Sequence, residues 1–85
     1  MIHVEDERIQ IIETQTREIS LKIDNMIVAN AFTIINVMGV KRENERDEAL
    51  VQDILTHLNL SMEGLSAAKV AFATSVRLIM AMMNG

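Results

Sequence analysis

Residues 27–40 read IVANAFTIINVMGV, and whether they form strand or helix decides the fold class. The β-branched residues Ile27, Val28, Thr33, Ile34, Ile35 and Val37 would suit a buried strand. Two features favour helix. No turn residue separates this stretch from the periodic segment before it. Gly39 followed by Val40 also has the form of a Schellman cap, in which the residue after the glycine folds back on the last turn, here onto Ile35. Lys41 and Arg42 then fall near the negative end of the helix dipole. The expected helix ends near Met38.

Working back towards the N-terminus, seam positions recur at a/d spacing: Ile9, Ile12, Thr16, Ile19, Ile23, Met26, Asn30 and Thr33. Glu13–Arg17 and Glu18–Lys22 add pairs four apart with the acid first, the favourable order. One long helix is expected over residues 4–38, with the alternating MIHVE at its start as a short extended piece. Asn30 falls on the seam, where a buried polar residue can set register and oligomer state at some cost in stability. A polar ligand pocket around Asn30 and Thr33 is the alternative use.

Working forward, Asn44 is an N-cap with Asp47 three residues on, and the following turn is acidic (Glu45, Asp47, Glu48). A second helix is expected over 45–58, with Leu50, Val51, Ile54, Leu55 and Leu58 on its apolar face and Asn59 as its stop. Ser61 then caps a third helix over 62–83. That segment is apolar on nearly every side and is expected to be buried.

The expected fold is all-α: one domain, 1–85, with a long N-terminal helix followed by a helical hairpin. At 1.5 Å per residue the three helices would run roughly 50, 20 and 33 Å. The two shorter ones would cover at most about two-thirds of the first. The remainder would be an oligomerising arm of an intertwined helical bundle, most simply a homodimer. Its interface would be Ile9, Ile12, Thr16, Ile19, Ile23, Met26, Asn30 and Thr33.

Composition points the same way. The chain has 85 residues, of which 49% are hydrophobic. A chain of this size buries only about 60% of its unfolded surface, so much of that apolar material needs a partner. Phe32 and Phe72 are the only aromatic residues, which leaves little for stacking on bases. The net charge of −4 disfavours nucleic acid as a partner, although Lys41 and Arg42 could form a local basic patch. There is no cysteine, hence no disulfide scaffold and no thiolate metal site. No signal-peptide pattern opens the sequence. The apolar run Val70–Met83 is short for a membrane span and contains Arg77. A cytoplasmic location without membrane contact is expected.

Candidate chemistry is thin. Asp53 and His57 lie four apart on one helix face, but metal binding needs three or four ligands and the only other histidine is His3. Ser66-Ala67-Ala68-Lys69 matches S-x-x-K without the supporting elements of that enzyme class. The acidic run Glu43–Glu48 lacks calcium-loop spacing and suits a helix N-terminus. No cofactor, no metal and no enzymatic activity are expected. Ile79, Met80, Met82 and Met83 could form an adaptable partner surface, since methionine packs well against irregular shapes. Lys69 and Arg77 could grip an anion. The function expected is that of a small homo-oligomeric regulator, adaptor or inhibitor that binds another macromolecule. A nucleotide- or metabolite-binding protein with an inter-subunit polar pocket, and a DNA-associated accessory regulator, are the alternatives.

Overall fold

A computed structural model describes residues 5–84. Two helices account for nearly all of them: α1, Asp6–Met38, and α2, Glu45–Met83. They run antiparallel as a hairpin measuring 64 × 17 × 12 Å. The stretch 27–37 is helical, as expected. The opening MIHVE falls mostly outside the described residues; Glu5 is extended and serves as the N-cap of α1.

The turn is built largely by local capping. The Gly39 N–H reaches both Ile35 O and Asn36 O at 3.2 Å, and the Val40 N–H donates to Val37 O at 3.1 Å. Gly39 is right-handed (φ −82°, ψ −5°), so α1 ends by tightening its last turn and not by a left-handed Schellman cap. Ile35 and Val40 both stay exposed, and the expected apolar fold-back does not form. Arg42 does answer the dipole: one Nη donates to Met38 O at 2.8 Å and to Val40 O at 3.0 Å. At the start of α2, Asn44 Oδ1 accepts the Asp47 N–H at 2.8 Å, and Asp47 Oδ2 accepts the Glu43 N–H at 3.2 Å. This is the expected capping box, with its return bond shifted one residue upstream.

The expected division of residues 45–83 into two helices is wrong. One helix of 39 residues runs through Asn59, Leu60 and Ser61. Asn and Ser favour caps over helix interiors, but each costs only about half a kcal/mol inside a helix. The inward row Val51, Leu55, Leu58, Met62, Leu65 keeps its spacing of three and four across the supposed break. A continuous helix therefore keeps that row against α1, whereas a turn would lose it. The domain is a two-helix hairpin and not a three-helix chain.

The uncovered N-terminal arm falls with the break. At 1.5 Å per residue α2 is about 58 Å long and α1 about 50 Å, so α2 spans its whole partner. Ile12 and Met83 line one groove near the open end. Nor is the C-terminal part of α2 buried: Val70 and Leu78 are 68% and 67% exposed. Among the described residues only Val51 is buried. Two helices share a single line of contact, so every other side faces outward.

Candidate functional site

The inward row of α1 is Ile9, Ile12, Thr16, Ile23, Ile27, Asn30, Ile34 and Val37, all half-buried against α2. Five of the eight expected interface residues (Ile9, Ile12, Thr16, Ile23, Asn30) thus already serve the hairpin. Asn30 sits where a register device belongs, and its target lies in the same chain. Its Nδ2 donates to Leu58 O at 3.0 Å, part-buried, and so ties the two helices at one height. The other three expected residues, Ile19, Met26 and Thr33, are exposed; Thr33 returns its hydroxyl to Ala29 O at 2.8 Å.

These three belong to a second pattern, close in angle to the first along the sequence. A step of seven residues turns a helix by about −20°, so residues seven apart form a column along one side. Ile12, Ile19, Met26 and Thr33 form such a column on α1. Ile54, Ser61, Ala68, Ser75 and Met82 form one on α2. Ile19, Met26 and Thr33 each stand four residues before an inward residue of α1; on α2, Ile54, Ser61, Ala68 and Ser75 do the same. In an antiparallel pair equal offsets fall on the same side. The two columns therefore share one face of the hairpin, and none of their nine positions carries a charge.

The opposite face is charged. Lys69 Nζ and Asp24 Oδ1 pair across the helices at 2.9 Å, with both side chains more than half exposed. Towards the open end a groove of about 440 Å³ between the helices runs past Glu13, Arg17, Ser20 and Met80 and is also lined by Ile12, the first residue of the uncharged column. Of the two expected anion contacts, Lys69 has Asp24 as its counter-charge, while Arg77, among the described residues, reaches only the Thr74 hydroxyl, at 3.4 Å. Of the expected partner surface, Ile79, Met82 and Met83 are half-buried and Met80 is exposed. Leu21, Val28, Phe32 and Ile35 form a further exposed apolar strip on the outside of α1, at spacings of seven, four and three.

The remaining candidates stay local. His57 Nδ1 lies 3.5 Å from Asp53 Oδ1 and 2.8 Å from Asp53 O, in full view of solvent. Among the described residues no three His, Cys, Asp or Glu side chains converge. At the turn Lys41 pairs with Glu43 at 3.7 Å, and Arg42 Nε lies 3.3 Å from Glu48 Oε2. The basic patch considered for DNA thus carries its own counter-charges.

Each helix includes an 18-residue stretch apolar enough to cross a membrane by length and composition, with mean hydropathy 1.2 in α1 and 1.4 in α2. The α2 stretch extends past the run Val70–Met83 on its N-terminal side and includes Lys69 and Arg77. The two stretches do not lie side by side. In α1 it is the half next to the turn; in α2 it is the half next to the open end. With Asn30 level with Leu58, their centres are displaced by about 20 Å along the hairpin. The apolar half of α2 runs beside the part of α1 that carries Glu13, Arg17, Glu18 and Lys22.

Compared with protein-family models, with curated proteins and with solved structures, the chain matches none.

Proposed function

We propose that this chain is a small homo-oligomeric interaction protein, a regulator, adaptor or inhibitor that acts by binding another macromolecule and performs no catalysis. The observation that carries the reading is a 49% hydrophobic hairpin in which, among the described residues, a single side chain is buried. Apolar surface on this scale marks an interaction site. It exceeds what one contact needs: the uncharged face is available for self-association, and the strip Leu21, Val28, Phe32, Ile35 is spaced for insertion into a partner's groove. Lipid is the weaker partner. With the two apolar stretches displaced, a hydrocarbon layer around one of them would also enclose charged residues of the other helix, at a cost of about 2.5–3.5 kcal/mol for each charge near its centre. A cytoplasmic location, which suits a chain without cysteine, is part of this proposal.

The test is the mass of the purified chain by light scattering at micromolar concentration, with flotation on liposomes beside it. A mass that is a multiple of 9.6 kDa, with no flotation, is the expected result. A monomer that floats with the vesicles would overturn the reading.

A further inference from the structure

We propose that a second copy of this chain packs on the uncharged face of the hairpin, so that two hairpins form a four-helix bundle. This rests on the reading above, that the chain self-associates through its apolar surface, and adds the number of copies and the argument that they meet on this face.

The area gives the occupant. The chain exposes 6745 Å². A compact monomer of 9.6 kDa would expose about 5,100 Å². The excess, about 1,600 Å² for each copy, becomes about 3,300 Å² when two copies meet. That falls within the roughly 2,000–5,000 Å² of permanent homodimers and above the standard transient interface. A second hairpin is thus by itself large enough to remove the excess.

Charge gives the face. Packing on the other side would bring the Asp24–Lys69 pair, Glu13 and Arg17 against their own copies, with desolvation of all of them. The columns Ile12–Thr33 and Ile54–Met82 carry no charge themselves; Lys22, three residues beyond Ile19, stands beside them, and its long stem lets the ammonium stay in water at the edge. The columns also repeat every seven residues on both helices, the period of long-range helix packing. Each helix then uses three of every seven positions for packing: two against its own partner and one against the second copy. Small residues at Ser61, Ala68 and Ser75 face the bulkier Ile19, Met26 and Ile54 elsewhere on the same surface, so large can meet small when the face packs on itself.

Two substitutions two residues apart test this. Ala68→Glu places a carboxylate on the uncharged face, and Ser66→Glu places the same group on the charged one; both positions are exposed in the hairpin. Light scattering should give a dimer for the unaltered chain and for Ser66→Glu. Ala68→Glu should give a monomer at the same concentration, with association weakened at least about 100-fold. Circular dichroism checks that each variant stays helical. Should Ala68→Glu unfold, cysteine variants decide, since the chain has no cysteine of its own. A short bismaleimide should then link copies of Ala68→Cys and leave Ser66→Cys mostly unlinked. A dimer that is indifferent to Ala68→Glu, or that links through Ser66→Cys instead, overturns the choice of face while self-association stands. A larger assembly that dissociates at Ala68→Glu keeps the face and overturns the two-copy bundle. A chain that stays monomeric at every concentration overturns both readings.

Discussion

The two broad faces of the hairpin come from the same pair of helices and differ by a few residues, yet they have opposite uses for water. One carries Ile19, Met26 and Ile54 with small uncharged residues between them. The other carries the exposed Asp24–Lys69 pair and the groove past Glu13 and Arg17. In an isolated hairpin the uncharged face gains nothing from its composition, because exposed apolar side chains give no burial energy. The charged face needs no cover. The difference therefore says more about an assembled state than about the folding of one chain.

The largest effect expected from breaking this asymmetry comes from Ile19→Asp. An unpaired charge buried at an interface costs about 3–5 kcal/mol, and a two-fold dimer buries it twice. The dissociation constant should rise by roughly a thousandfold or more, read by sedimentation or light scattering across a dilution series. Leu21→Asp, on the outside of the same helix and more exposed than Ile19, should leave the dimer intact. Equal effects at the two positions would erase the distinction between the faces.

Asn30→Ala addresses the line between the faces. Removing its hydrogen bond to Leu58 O should cost about 1 kcal/mol, with a fall in Tm of about 4–8 °C for a chain of this size. Asn30→Leu sharpens the point. It restores apolar contact without the bond, so it should recover the lost stability while loosening the height at which α1 sits on α2. Broadened amide resonances along both helices would show this.

What could be read in advance follows from range. The end of α1 at Met38 and the Asn44–Asp47 cap depend on residues within a turn of one another, and both are present. The division expected at Asn59–Ser61 also rests on local preferences, and there they are too weak. A cap residue states a tendency of a few tenths of a kcal/mol, while the inward row from Val51 to Leu65 runs unbroken through it. Phase was the better guide. The same error moved the apolar excess to an arm that does not exist. The two columns were harder to see, because Ile19, Met26 and Thr33 lie close enough in angle to the true seam to pass as part of it. Only the position of α2 separates them.

Gly64 offers a smaller change of opposite sign. A Cβ added there would meet nothing within 4 Å in the hairpin, and glycine inside a helix is worse than alanine by about 0.5–1 kcal/mol. Gly64→Ala should raise Tm by several degrees at low protein concentration, where the hairpin stands alone. Gly64 projects outward on the side of the uncharged columns. If the gain shrinks as concentration rises, the second copy approaches that position closely.

The smallest effect belongs to the charged face. Asp24 and Lys69 approach to 2.9 Å, but both side chains are more than half in solvent, which weakens the attraction and lets salt screen it. A double-mutant cycle with Asp24→Asn and Lys69→Met should give a coupling of about 0.2–1 kcal/mol at low salt and close to zero at about 1 M. That fading is itself diagnostic. If a partner covered this face, the pair would be cut off from ions and its coupling would persist in salt. A coupling that disappears with salt at concentrations where the chain is dimeric means that the charged face is still wet in the assembled protein, and that the copies meet on the other side.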